Sequence, residues 1–286
     1  MSRTKSRSSR VRRDGEEQNK KLTPDEIQFV GDCHLAQGDW EEAIRRYREA
    51  VSTDQCNTER RIRLGDAYAL TEKNGKALSQ YKHAIRTNPG KAEPHFSLAE
   101  LYRRYGKWEA AVIEYERAVQ HADTHALYRF KLGEALWQCG RTEQALHQIE
   151  LSVSITQTDS FYHFRLAEMY RAICRNLEAI THFQLATIFA PSDAYYALQL
   201  GVMLLRAGNG NEAIEVLQTA VSLKPDDPLY CSVLADAYLC EDLVSEAVGC
   251  YINAGILDDY DTVNLHLIRK TMEEKYSDAA SRIERK

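Results

Sequence analysis

Residues 92–125 read AEPHFSLAELYRRYGKWEAAVIEYERAVQHADTH, and residues 126–159 read ALYRFKLGEALWQCGRTEQALHQIELSVSITQTD. Laid one above the other, the two windows align over 34 residues without a gap. Ala99 falls over Gly133, Ala111 over Ala145, and Tyr115 over Ile149. Extending the register both ways gives windows that begin at Pro24, Thr58, Ala92, Ala126, Ser160, Ala194 and Pro228. A fixed period of this length is the mark of a repeat architecture, so it is read before any shorter motif.

The eighth place of each window is small: Gly31, Gly65, Ala99, Gly133, Ala167, Gly201, Ala235. The twentieth is always alanine: Ala43, Ala77, Ala111, Ala145, Ala179, Ala213, Ala247. Two antiparallel helices approach to about 8–9 Å only where neither presents a large side chain at the crossing. Leu98, Leu132 and Leu166 precede the small residue, and Tyr102, Leu136 and Tyr170 follow it by one turn. Tyr81, Tyr115 and Phe183 come four residues after the alanine. Each half-window therefore carries one apolar helical stripe.

Proline inside a helix costs about 3 kcal/mol, and all six prolines (Pro24, Pro89, Pro94, Pro191, Pro225, Pro228) fall at window junctions or in a first helical turn. Thr23, Pro24 and Glu26 spell a capped helix start. Gly38, Gly106, Gly140 and Gly208 mark the turn inside four hairpins.

This pattern resembles the tetratricopeptide repeat family. The resemblance covers seven windows, 24–57, 58–91, 92–125, 126–159, 160–193, 194–227 and 228–261, within a domain expected at 23–261. It implies an all-α fold, a right-handed superhelical solenoid of antiparallel hairpins. Two departures stand out. The first large position of the family pattern holds Ile27, Arg61, His95, Arg129, His163, Ala197 and Cys231, and the closing proline occurs only at Pro89, Pro191 and Pro225.

After Asp261 the register would place Arg269 at the close helix contact, so no eighth hairpin is expected. Leu265, Ile268, Met272 and Tyr276 recur at one-turn spacing and read as a C-terminal capping helix within 262–286.

The chain of 286 residues is 44% hydrophobic and 28% charged, with net charge −5. That charge is uneven. Residues 1–21 hold eight Lys or Arg against three acids, a net +5, which leaves the remainder with 29 bases and 39 acids at −10. The tail of residues 1–22, with Arg3, Lys5, Arg7, Arg10, Arg12 and Arg13 among serines, cannot bury a core and reads as disordered. It could touch nucleic acid or an anionic membrane, act as a localisation signal, fold back on the acidic body, or simply solubilise the chain.

No run of apolar residues is long enough to span a membrane. The seven cysteines are odd in number, lack a C-x-x-C pair, and read as buried free thiols in a reducing compartment. The expected location is the cytoplasm, or the nucleus in a nucleated cell.

The family resemblance implies that the first helix of each hairpin lines a concave groove that holds extended or helical peptides. It puts window positions 2, 5, 6, 9, 12 and 13 in that groove. Position 5 gives Ile62, Phe96, Phe130 and Phe164, an apolar row for a partner's side chains. Positions 6 and 9 add Arg63, Asp66, Glu100, Lys131, Glu134, Arg165 and Glu168. The acids could receive a basic partner segment. Alternatively, bases one turn away (Lys131 with Glu134, Arg165 with Glu168 and Arg171) neutralise them on the same face.

Gln28 and Asp32 stand where chaperone-binding members carry a clamp of Lys and Asn, so that activity is not implied. There is no phosphate-binding loop, dinucleotide fingerprint or H-E-x-x-H. His121 and His125 have metal-ligand spacing but straddle a repeat junction. The expectation is a non-catalytic protein-binding scaffold, an adaptor or assembly factor, with no cofactor and no metal. The alternatives are a nucleic-acid-associated factor tethered by its tail and a regulatory subunit of an enzyme complex.

Overall fold

A computed structural model describes residues 22–255. The basic tail with Arg3 to Arg13 and the capping helix expected within 262–286 lie outside the described residues. Fourteen helices and no strand occur among the described residues. The hairpins are α1 (Pro24–Ala36) with α2 (Trp40–Thr53), α3 (Thr58–Leu70) with α4 (Asn74–Thr87), and α5 (Ala92–Arg104) with α6 (Trp108–His121). They continue as α7 (Ala126–Gln138) with α8 (Thr142–Ile155), α9 (Ser160–Ala172) with α10 (Asn176–Phe189), α11 (Ala194–Arg206) with α12 (Gly210–Leu223), and α13 (Pro228–Cys240) with α14 (Val244–Asn253).

Every first helix starts on the first residue of its 34-residue window. The reason is capping. Thr23 and Glu26 form a reciprocal capping box with Pro24 at the first helical position. Asn57, Asp159, Asp193 and Asp227 each accept a backbone N–H of the following first turn. The chain forms two compact units, 22–101 and 102–255, with the boundary inside α5. In the first unit α2 packs against α1 and α3, and α3 against α4. In the second, consecutive helices pack from α6 through to α14.

Inside a hairpin the close approach has a specific cause. The twenty-fourth window position, which holds Tyr47, Tyr81, Tyr115, Ile149, Phe183, Leu217 and Tyr251, is buried in all seven repeats. Its side chain lies over the eighth position. A Cβ built on Gly65 would come within 2.5 Å of the Tyr81 ring, and one on Gly201 within 2.4 Å of Leu217. The sequence pairs the small residue with the alanine at position twenty. The structure adds that it also makes room for a large side chain one turn further along.

Each hairpin turns through one left-handed residue, at Gly38, Glu72, Gly106, Gly140, Cys174, Gly208 and Asp242, again 34 apart. The N–H after it returns to a carbonyl near the end of the first helix, as from Lys73 to Tyr68 at 2.9 Å and from Arg175 to Tyr170 at 2.9 Å. This bond closes the helix C-terminus. The four glycines were legible as turn residues; Glu72, Cys174 and Asp242 hold the same conformation despite a Cβ.

The departures at the fourth window position also find an explanation. Arg61 donates to the Gln55 carbonyl through Nε and Nη2 at 2.9 and 2.8 Å, and Arg129 donates to Asp123 at 2.6 Å. His163 Nε2 lies 2.9 Å from the Gln157 carbonyl, and Cys231 Sγ lies 3.8 Å from that of Pro225. All four reach back six residues and tie the first helix to the loop that precedes it. The Gln157 carbonyl can only accept, so the His163 proton sits on Nε2. Its Nδ1 then accepts from His182 Nδ1–H at 3.0 Å.

One cysteine expectation needs correcting. Only Cys231 is buried. Cys33, Cys56, Cys174 and Cys240 are exposed, and Cys139 and Cys250 are half-buried. They sit in turns or on outward helix faces, which the stripe pattern does not pack.

Candidate functional site

Along α9, Phe161, Arg165, Glu168 and Ala172 are spaced four, three and four residues apart, so they share one helix face. The same spacing aligns Leu127, Lys131, Glu134 and Gln138 on α7. Salt bridges join these faces. Arg165 donates through Nη1 to Glu168 at 2.6 Å and through Nη2 to Glu134 at 3.1 Å. Lys131 Nζ meets the other oxygen of Glu134 at 2.7 Å. Arg171 lies 3.7 Å from Glu168 and donates to Gln199 of α11 at 2.7 Å. Three first helices are thus linked by one charged chain. Its members are half-exposed, so individual pairs contribute little to stability.

Against this network opens a cavity of about 440 Å³ lined by Arg103, Trp108, Glu134, Trp137, Gln138, Arg165, Glu168, Met169, Arg171 and Ala172. Two half-buried indoles beside guanidinium groups provide large, stiff contact area together with oriented donors. Glu134, Arg165 and Glu168, which the family resemblance assigns to the groove, are among the cavity's lining. The resemblance also puts the twelfth position in the groove, and that position supplies Arg103, Trp137 and Arg171. Trp108 opens the second helix of its hairpin, where no first-helix periodicity reaches.

Other site residues behave differently from expectation. Phe130 is 1% exposed and Phe164 is 7% exposed. Phe130 meets Phe161 edge-on at 5.2 Å, and Phe164 stacks on Tyr196 at 4.6 Å. Ile62 is buried as well, and Phe96 is half-buried. Phe130 and Phe164 therefore lie beneath the groove surface, because the first turn of the next repeat's first helix covers each of these two rings.

The acids divide into two kinds. Asp32, Asp66 and Asp236 accept the hydroxyls of Tyr47, Tyr81 and Tyr251, each at 2.6 Å, which ties the two helices of one hairpin together. Burial and the neighbouring Asp32 carboxylate push the Tyr47 phenol well above its ordinary range. Where position twenty-four is Ile149 or Phe183, no hydroxyl is available, and Glu134 and Glu168 turn instead to Lys131, Arg165 and Arg171. Arg63 reaches Asp32 of the preceding repeat and Glu59, both at 4.0 Å.

No group of three or more His, Cys, Asp or Glu could hold a metal ion among the described residues. His125 stacks on Tyr128 at 3.8 Å between ring centres. No helix among the described residues is long and apolar enough to cross a membrane.

Hairpins of fixed length with a shared charged and aromatic face define a helical-repeat protein. A sequence profile of the tetratricopeptide repeat matches residues 30–92, 62–126, 96–154 and 175–228, together more than half of the chain. The chain belongs to the tetratricopeptide repeat family. No curated protein sequence matches it.

Among solved structures, it is similar to the C-terminal part of a TPR repeat-containing protein from Cytophaga hutchinsonii, at 16% identity over 82% of this chain and 96% of that one, with a TM-score of 0.66. It is similar to pilF of Pseudomonas aeruginosa at 16% identity over 72% and 94%, with a TM-score of 0.60. YrrB, a TPR protein with an unusual peptide-binding site, aligns at 19% identity over 64% and 95%, with a TM-score of 0.54. At these identities the likeness is one of fold.

Proposed function

We propose that the chain is a non-catalytic protein-interaction scaffold, an adaptor or assembly factor, and that the first-helix face of its second unit is where a partner binds. The observation that carries this reading is the cavity between Trp108, Trp137 and Met169, ringed by Arg103, Arg165 and Arg171. Tryptophan and arginine are the residue types most enriched at binding hot spots. A hairpin stack has no need to place two indoles beside three guanidinium groups for its own packing, since its buried core is built chiefly from Ala, aliphatic residues, Tyr and Phe and holds no Trp among the described residues. The peptide-binding site of YrrB belongs to a protein of the same fold and agrees with this use of it.

A photo-cross-linking amino acid placed at Ala172, which lines the cavity, tests the idea in cells against the same group at Glu215 on α12. The expected result is a discrete adduct from position 172 that disappears with Trp137→Ala and is not seen from position 215. Equal labelling from both positions, or none from position 172, would remove the assignment.

A further inference from the structure

The second window position reads Asp25, Glu59 and Glu93 in the first three repeats but Leu127, Phe161, Tyr195 and Leu229 in the last four. These four side chains are 37%, 44%, 46% and 54% exposed. Single exposed apolar residues are ordinary, but four at one register position on consecutive repeats form a row. Each sits four residues before a groove residue of its own helix (Lys131, Arg165, Gln199 and Val233), hence on the same face. The row has a rigid backing. Phe130 is buried behind Phe161, and Phe164 lies 5.6 Å from Tyr195, ring centre to ring centre.

The carboxylates next to the row, Asp159, Asp193 and Asp227, are engaged by the backbone N–H groups of Phe161, Tyr195 and Leu229 at 3.0, 2.9 and 3.0 Å, and the charge of the groove positions has the opposite sign to the body. The chain beyond its tail is net negative, yet the groove positions of the second unit carry Arg103, Arg104, Lys131, Arg165, Arg171 and Arg206 against Glu134 and Glu168. The remaining acid, Asp236, is buried under the Tyr251 hydroxyl. A basic segment arriving here would have to take Glu134 and Glu168 away from three cations that already hold them. A carboxylate has only to share Arg165 or Arg171, whose half-exposed pairs exchange at little cost.

We propose that this face binds an acidic segment of a partner protein. Its apolar side chains lie on Leu127, Phe161, Tyr195 and Leu229, and its carboxylates lie over Arg165, Arg171 and Lys131. This rests on the reading of the same face as a protein-binding surface. The positive groove admits acidic segments and repels basic ones, which makes it a filter on partners as well as a contact surface.

The test selects peptides from a random phage-displayed library on the full-length chain. Winners are then measured on Phe161→Ser with Leu229→Ser, and on Arg165→Glu with Arg171→Glu. All four positions are partly exposed, so helical circular dichroism serves as the folding control. Selected peptides are expected to be acidic with interspersed large apolar residues, and to lose about tenfold or more in affinity on each double variant. The charge-reversed variant should in turn select basic peptides.

Groove-dependent winners that are neutral or basic overturn the acidic occupant and leave the protein-binding reading intact. Winners indifferent to both variants overturn that reading too. Two further results mean that the chain occupies its own face, and either one ends the proposal. One is self-association abolished by Phe161→Ser with Leu229→Ser; the other is peptide binding that appears only after residues 256–286 are removed.

Discussion

Replacing Cys174 by glycine should stabilise the fifth hairpin. Cys174 sits at φ 61, in the conformation that Gly38, Gly106, Gly140 and Gly208 take at the same place in other repeats. A left-handed residue with a Cβ costs about 1–2 kcal/mol relative to the right-handed region. Glycine removes that strain and gives back roughly 0.4–1 kcal/mol through greater freedom in the unfolded chain. The thiol is exposed, so little packing is lost. The net gain is about 0.5–1 kcal/mol. Glu72→Gly should match it, and Asp242→Gly should gain less, since Asp tolerates this region better.

The reverse change, Gly140→Ala, should cost about as much with no clash at all, because nothing lies within 4 Å of the added Cβ. Urea denaturation followed by circular dichroism reads the midpoint, and amide exchange of α9 and α10 localises the effect. Cys174→Ala is the control, since it keeps the Cβ while deleting the thiol. If Cys174→Gly is neutral, or if Cys174→Ala stabilises equally, the gain is not conformational and the reasoning is wrong.

Gly133→Ala should destabilise by roughly 1–3 kcal/mol, because its Cβ would lie 2.5 Å from Ile149 Cγ1 and 3.0 Å from the Ala145 carbonyl; Ile149→Val should recover part of the loss, and a thermal melt that shows no coupling between the two changes refutes the contact. Tyr81→Phe should lower stability by about 1 kcal/mol through loss of the 2.6 Å bond to Asp66, whereas Phe183→Ala should cost more, about 3–5 kcal/mol, as a core cavity; the reverse order in denaturation midpoints would contradict the burial pattern. Burial, then the neighbouring His163, lowers the pKa of His182, with Glu150 opposing and Tyr170 stacked on its ring. The folded state therefore takes up that proton later than the unfolded chain, and stability should decline as pH falls through about 6.5. His182→Asn should flatten that slope, leaving the part due to His83, which burial also lowers; an unchanged slope would remove His182 as its source.

The fold was legible because hairpin packing is local and is repeated seven times. One register fixed every helix start, and the prolines and the Thr23 cap gave independent checks. The depth of a side chain on a legible face was not. Phe130 and Phe164 fall on the groove side of their helices, yet they are covered by residues about thirty places later, a contact that no single-helix pattern contains. Trp108 escaped for the same kind of reason, since it enters the cavity from the second helix.

The acid ladder was different, because the information was present 15 residues away. Aspartate stands at position nine where position twenty-four is Tyr47, Tyr81 or Tyr251. Glutamate stands there opposite Ile149 and Phe183, and Val202 opposite Leu217. Repeat three, with Glu100 and Tyr115, is the exception. The shorter acid holds its own hairpin together through a tyrosine hydroxyl. Where position twenty-four lacks the hydroxyl, Glu134 and Glu168 pair with Lys131, Arg165 and Arg171 instead, so the core residue at position twenty-four and the acid at position nine change together between binding their own hairpin and joining the charged face.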